Sequence, residues 1–166
     1  MPKQPGDLIQ TDTIVIYVLG RKYFLPTAID VFNRKAHANV GVSHSSNTAK
    51  ELLMELPQFF GYPIKHAQTD NGSEFKKHFD QACETLGITH FWNPVRSPKE
   101  NAFIERFNRS IQDEWVKPNM GLFYLGNFDD LKKSLLEYLK WYNTRRPHWS
   151  LDMLTPEEYT ELSKKS

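Results

Sequence analysis

Three acids stand where an ordinary surface role is hard to assign. Asp12 sits inside an apolar, β-branched run, Leu8-Ile-Gln-Thr-Asp-Thr-Ile-Val-Ile16, where an unpaired charge is costly to bury. Asp70 closes a second short apolar stretch and precedes Asn71-Gly72, and Glu105 lies within Asn101-Ala-Phe-Ile-Glu-Arg-Phe-Asn108. Carboxylate oxygens of this kind suit hard cations, and magnesium is commonly held by one or two carboxylates plus substrate phosphates. Two such ions roughly 3.5–4 Å apart can clamp both the attacking and the leaving oxygen in a displacement at phosphorus. Two divalent ions would more than neutralise three carboxylates, so a loaded cluster attracts phosphate. Taken singly, each acid has a plainer reading. Asp12 would be a turn or edge residue, Asp70 a turn former before Asn-Gly, and Glu105 a solvated helix charge beside Arg106. The ordered set carries more weight than any member. Glu74 is set aside as a fourth acid that suits the first turn of a helix, where negative charge meets the favourable end of the dipole.

These acids need elements to position them. Leu8 to Val18 is rich in Ile, Val, Thr and Tyr and reads as a strand. A turn at Leu19-Gly-Arg-Lys22 leads to strands over Tyr23–Asp30 and Lys35–Val42, an antiparallel meander. Ala49, Leu52, Leu53, Leu56, Phe59 and Phe60 recur at helical spacing, with Asn47 or Thr48 as cap. A strand over Ile64–Thr69, a helix over Ser73–Leu86 and a strand over Ile88–Trp92 follow. Asn93–Glu100 reads as a loop, Asn101–Val116 as a helix and Pro118–Asn127 as a second loop. A long helix is traced by Phe128, Leu131, Leu135, Tyr138, Leu139 and Tyr142. Thr155-Pro-Glu-Glu158 opens a short final helix, with Thr as cap and Pro in the first turn. The order βββ-α-β-α-β-α-α predicts an α/β arrangement, a five-stranded mixed sheet flanked by helices. The strand ending at Asp70 should run parallel to a strand of the meander, and the strand of Asp12 is the expected neighbour. Phe103, Phe107, Trp115, Trp141 and Tyr142 are expected in the core.

Composition excludes several classes. The 166 residues carry 21 Lys and Arg against 20 Asp and Glu, a formal charge of +1, so this is no polybasic binder of the histone kind. The total hides local bias: residues 131–149 hold five Lys and Arg against one Glu, for which a solvated helix face is the plain reading. Ile14–Leu19, the longest apolar run, is too short for a membrane span or a signal core. The single Cys83 excludes an internal disulfide and a paired-cysteine zinc site, and is expected to act as a small buried hydrophobe. The scattered histidines show no short metal-site spacing. A cytoplasmic, disulfide-free domain without a membrane partner is expected.

Several separated motifs agree in order and spacing: Thr69-Asp-Asn-Gly-Ser-Glu-Phe75, Asn93-Pro94, Ser97-Pro98, Asn101-Ala-Phe-Ile-Glu-Arg-Phe-Asn-Arg109, Trp141-Tyr-Asn-Thr-Arg-Arg-Pro-His148, Leu151 and Thr155-Pro-Glu157. This set closely resembles the integrase catalytic core of bacterial insertion-sequence transposases, relatives of retroviral integrase, over about Pro5 to Glu158. The 34 residues between Asp70 and Glu105 approach the family's spacing. The resemblance implies an RNase H-like fold and an Asp-Asp-Glu triad of Asp12, Asp70 and Glu105, both catalytic and metal-binding, holding two Mg²⁺ or Mn²⁺ ions. It implies metal-dependent cleavage at transposon ends and transfer of the new 3′-hydroxyl to target DNA, by a bacterial protein acting as a homodimer or larger assembly at the nucleoid. Residues 1–117 would form the core and 118–166 a helical extension packed on it. Asn71, Lys99, Asn101, Asn108, Arg109 and Gln112 are the expected DNA contacts. Arg145-Arg-Pro-His148 is expected to be either structural or DNA-contacting.

Two departures from the pattern bear on function. Lys99-Glu-Asn-Ala102 stands where the family often has Gln-Asn-Gly or Asp-Asn-Gly, which removes a glycine and adds a charge near phosphate. Transposases of this kind usually carry an N-terminal helix-turn-helix region, and Met1-Pro2 opens this sequence, so element-specific recognition is expected to lie outside it. These departures motivate a second reading, a non-catalytic DNA-binding or oligomerisation remnant of a transposase. A third, an RNase H-like nuclease that cuts without joining, ranks lowest, because the Arg-Pro-His and Thr-Pro-Glu tail resembles transposases.

Overall fold

A computed structural model describes residues 1–42, 46–94 and 98–166. Five strands form one mixed sheet in the order β3-β2-β1-β4-β5. Its strands are β1 (Ile9–Val18), β2 (Arg21–Asp30), β3 (Ala36–Ala38), β4 (His66–Thr69) and β5 (Thr89–Trp92). β1 and β2 pair antiparallel along their whole length, from Ile9 with Asp30 to Val18 with Arg21. β4 runs parallel to β1, with Gln10 opposite Gln68, and β5 parallel to β4. The expected adjacency of the first and fourth strands is therefore present.

Strand alternation sends β1 into two apolar layers. Ile14, Ile16 and Val18 face a cluster that includes α3 (Ala102–Ile111), α4 (Met120–Leu125) and α5 (Phe128–Thr144). Ile9 faces the opposite cluster, built with α1 (Ser46–Phe60) and α2 (His78–Leu86). Gln10 and Asp12 have the parity of Ile14, which puts both polar side chains on the α3 side.

Several elements differ from the sequence expectation. β3 is three residues long rather than spanning Lys35–Val42. Pro26 of β2 lies opposite Asn39 and has no N–H to donate, so the ladder lapses there. It resumes only as the Phe24–Gly41 bridge. The helix expected over Ser73–Leu86 is a 3₁₀ turn, Ser73–Phe75, followed by α2. The helix expected over Asn101–Val116 is α3 continued by a π turn, Gln112–Val116. Pro118–Asn127 is helical instead of a loop: a 3₁₀ turn at Lys117–Asn119 leads into α4. Pro118 occupies a helix start, where its missing N–H costs nothing, and Gly126 is the left-handed cap of α4. Both breakers mark the ends of short helices. The loop expected over Asn93–Glu100 lies partly outside the described residues, at 95–97, and ends in a 3₁₀ turn, Pro98–Asn101.

Asp30 is fully buried at the end of β2 and anchors the chain's entry. It accepts hydrogen bonds from Gly6 N–H (2.8 Å), Tyr62 Oη–H (2.8 Å) and Phe32 N–H (2.9 Å). Gly6 has φ +83°, and a Cβ there would run into the Pro63 carbonyl. α6 (Pro156–Ser163) opens with a reciprocal capping box between Thr155 and Glu158. Cys83 is buried and free, as expected. Trp141 is not core: it is 42% exposed, on the outer face of α5. No helix among the described residues is long and apolar enough to cross a membrane.

The tail motif has a structural role in this fold. Arg146 Nε donates to both carboxylate oxygens of Glu114 on the π turn, at 2.7 and 3.0 Å. Its guanidinium also lies over the Tyr142 ring. His148 Nε2 lies 3.3 Å from the Tyr142 carbonyl. Both partners of the Arg146–Glu114 pair are mostly shielded, and hydrogen bonds to charged groups contribute about 1.5–3 kcal/mol each. Arg146→Ala is expected to lower unfolding free energy by about 2 kcal/mol in urea titration. A loss below about 0.5 kcal/mol, the range of an ordinary surface substitution, would show that the pair is incidental.

Candidate functional site

The site lies where β4 ends beside the first half of β1, and ligands bind in open α/β sheets at the carboxyl ends of strands such as β4. Two residues beyond the Gln10–Gln68 pair stand Asp12 and Asp70. Asp12 is half-buried. Its Oδ1 accepts from the Thr13 N–H at 2.8 Å and its Oδ2 from Asn108 Nδ2 at 2.9 Å. Burial first, then the negative charges of Asp70 and Glu74, push its carboxyl up to about 6, against the hydrogen bonds from Thr13 and Asn108. None of these groups is a cation. Asp70 is exposed, and its Oδ1 accepts from the Gly72 N–H at 2.7 Å.

Glu74 stands in a helical first turn, as expected, but that turn is 3₁₀ and the side chain is buried. The 3₁₀ turn buries it to 8% exposure and turns its carboxylate toward Gly72. A Cβ on Gly72 would meet Glu74 Oε2 at 2.5 Å and Asp70 Oδ1 at 2.9 Å. Gly72 thus leaves the space in which two carboxylates converge. The signal for this was the Asp70-Asn-Gly-Ser-Glu74 turn, but sequence periodicity treats Glu74 as part of a regular helix.

Glu105 lies in the first turn of α3 and is exposed. Among the described residues no three His, Cys, Asp or Glu side chains form a group able to hold a metal ion. The structure therefore brings Asp12 under the influence of Asp70 and Glu74, with Glu105 apart on the helix that crosses above. α3 itself is tied to β1 on both sides of Glu105. Ile104 N–H donates to Gln10 Oε1 at 3.1 Å, and Asn108 reaches Asp12. The donors fit a hard divalent cation in chemical type, although among the described residues they are not gathered into one cage. They are all carboxylates, each hydrogen-bonded carboxylate keeps spare lone pairs, and the charge facing Asp12 is uncompensated by the groups that act on it.

The residues expected to contact DNA divide. Asn108 is 8% exposed and its amide is spent inward, donating to Asp12 and accepting from Thr27 Oγ1 at 2.7 Å. It holds Asp12 rather than joining a surface. Asn71, Arg109 and Gln112 are exposed, and Gln112 Nε2 donates back to the Asn108 carbonyl at 3.1 Å. Asn101 is half-buried and its Oδ1 accepts from Asn93. The side chain of Lys99 lies outside the described residues. Thr69, just before Asp70, is fully buried, with Oγ1 2.7 Å from His90 Nε2, whose Nδ1 is 2.9 Å from Asp80. That arrangement resembles a nucleophile triad, but with Thr69 sealed from solvent it serves to fix the end of β4.

The sheet order, the parallel β1–β4 pair and the helices on both faces define an RNase H-like α/β fold. The HTLV-2 integrase catalytic core domain, solved with magnesium in a trimeric form, superposes with a TM-score of 0.74 at 20% identity, covering 95% of this chain and 97% of that one. Residues 2–98 match the integrase core domain family model, and residues 86–156 match a second model of the same description. The chain belongs to the integrase core domain family. An insertion element IS407 protein of Burkholderia multivorans is 29% identical over 166 residues, covering 96% of this chain and 57% of the relative. The "Putative transposase InsK for insertion sequence element IS150" of Escherichia coli K12 is 28% identical over 167 residues, covering 94% and 55%. The chain spans about half the length of the curated relatives it matches.

Gly72→Ala tests whether the carboxylate convergence matters. Gly72 has φ −59°, so alanine meets no backbone penalty and only the carboxylates must move. Mn²⁺ affinity measured by calorimetry is expected to fall about tenfold, with little change in melting temperature. Unaltered Mn²⁺ affinity would dissociate this turn from cation binding.

Proposed function

We propose that this chain is the catalytic core of an insertion-sequence transposase, cutting and joining DNA strands with Asp12, Asp70 and Glu105. The observation that carries the reading is the half-buried Asp12 carboxylate on β1, held by Asn108 of α3 and close enough to feel the charge of Asp70 just beyond the end of the adjacent parallel strand β4. Family membership supports it, as does the likeness to a retroviral core solved with magnesium.

In this reading Asp12, Asp70 and Glu105 hold two Mg²⁺ or Mn²⁺ ions. Bound there, such ions supply charge neutralisation and oxygen activation for displacement at phosphorus. The chain's own residues position and orient. Asn108 fixes one Asp12 oxygen and the Thr13 N–H the other, and each oxygen keeps a further lone pair. In this reading Asn71, Lys99, Asn101, Arg109 and Gln112 contact DNA, at the transposon end or the target. Arg109 is the best phosphate partner, one helical turn beyond Glu105. Residues 1–117 carry the acids, and 118–166 brace them through α5. The working form is a homodimer or larger assembly in the bacterial cytoplasm, because two element ends must be brought together. The HTLV-2 core is itself solved in trimeric and dimeric forms.

Asp12→Asn, Asp70→Asn and Glu105→Gln test the triad. Each is expected to reduce Mn²⁺-dependent cleavage and strand transfer on cognate ends by at least about 100-fold, the loss of several kcal/mol of transition-state stabilisation. DNA affinity should stay within a few-fold. Retained activity in any one variant would remove that acid from the triad. The altered Lys99-Glu-Asn-Ala102 segment favours the second reading, a non-catalytic remnant. Wild-type protein that binds cognate DNA but takes up no divalent ion with it would establish that alternative.

A further inference from the structure

Four side-chain amides lie head to tail across the site, and none belongs to the proposed acid triad. Ile104 N–H donates to Gln10 Oε1 at 3.1 Å. Gln10 Nε2 donates to Gln68 Oε1 at 3.1 Å, and with its second hydrogen to the Glu100 carbonyl at 2.7 Å. Gln68 Nε2 donates to Asn93 Oδ1 at 2.5 Å. Asn93 Nδ2 donates to Asn101 Oδ1. Gln10, Gln68 and Asn93 each accept through oxygen and donate through nitrogen, and Asn101 accepts at the end of the relay. The chain starts at Ile104, in the first turn of α3, and returns to Asn101, the residue that caps α3.

The path crosses three strands. Gln10 is on β1, Gln68 on β4, and Asn93 directly follows β5, where its own N–H donates to the Thr69 carbonyl at 2.7 Å. Gln10 is 3% exposed and Asn93 5% exposed. Buried amides of this kind are costly unless satisfied, and a fully satisfied network rigidifies what it joins. The Ile104 N–H is one of the four donors that a helix start leaves without an internal partner. Here a strand side chain takes it, although Asn101 makes no side-chain cap hydrogen bond.

We infer that Gln10, Gln68, Asn93 and Asn101 form a positioning strap that fixes the first turn of α3, and with it Glu105, over the strands that carry Asp12 and Asp70. Among the described residues no side-chain hydrogen bond ties Glu105 itself. It is placed by the attachment of Ile104 before it and of Asn108 after it. Gln10 and Asp12 are two residues apart on one face of β1, so the strand that holds the first acid also sets the height of the third. The effect on cation binding rests on the reading proposed above, while the fixing of the helix does not.

Gln10→Leu removes both hydrogen-bonding ends at nearly constant volume. Hydrogen exchange followed by NMR is expected to accelerate at least about tenfold at the amides of residues 102–106, with β2 and α5 unchanged. Unchanged exchange at 102–106, or uniform acceleration throughout, overturns the strap. In the same protein, Mn²⁺ affinity should weaken about tenfold, as when the outer partners of a metal ligand are lost. A loosened α3 with undiminished Mn²⁺ affinity overturns its role in placing Glu105. Wild-type protein that binds no Mn²⁺ would sink the cation reading instead, and the exchange result would still decide whether the strap holds the helix. If Gln10→Leu fails to fold, Gln68→Met breaks the same relay at a half-buried link and carries the same two readouts.

Discussion

A carboxylate brought half out of water must be compensated, and Asp12 organises much of the surrounding structure through that requirement. Its strand is central and apolar, its face of the sheet is covered by α3, and the two acids that act on it add repulsion to burial. Two hydrogen bonds offset part of the cost, one from its own strand and one from Asn108. Asn108 in turn is held by Thr27 of β2. The first acid therefore fixes the depth and rotation of α3, and α3 presents Glu105 in its first turn.

The same parity explains why the polar and apolar parts of β1 coexist. Gln10 and Asp12 share a face with Ile14, Ile16 and Val18, so one helix layer covers a polar upper half and an apolar lower half. The lower half packs against Phe107, Ile111 and Trp115, and against Leu135, Leu139 and Tyr142 of α5. The Arg146–Glu114 pair ties the tail to the π turn that continues α3. The rigid apolar half makes the placement of the polar half meaningful. A carboxylate can be held in a productive position only if the helix above it cannot slide.

Much of this was legible in the sequence. The β-branched density of residues 8–18, the helical spacing of Leu52, Leu56 and Phe60, and the heptad-like trace from Phe128 to Tyr142 each report a local period. Those elements stand close to where they were expected. Thr155-Pro-Glu-Glu158 reports a cap by chemistry rather than by period, and the cap is there. The misreadings share a cause. Pro118–Asn127 reads as a loop because breakers such as Pro118 and Gly126 do not reveal whether they end one helix or begin another. Pro26 shortened β3 through the ladder of its partner strand, which no single-strand pattern carries.

The site was legible as a set of acids but not as a set of contacts. Asp12 and Asp70 announced themselves through their strands. Glu74 did not, because its burial depends on a 3₁₀ turn that breaks the helical period. Asn108 looked like a surface residue on a stripe, and its inward turn follows from how closely α3 packs on β1. Gln10, Gln68 and Asn93 carry no sequence signal, since amides become a relay only when three strands and a helix meet. The most direct test of the account is anomalous diffraction from crystals soaked in Mn²⁺. The account predicts a peak within bonding distance of both Asp12 and Asp70, beneath the first turn of α3. Mn²⁺ bound elsewhere, with those two carboxylates left uncoordinated, would contradict it.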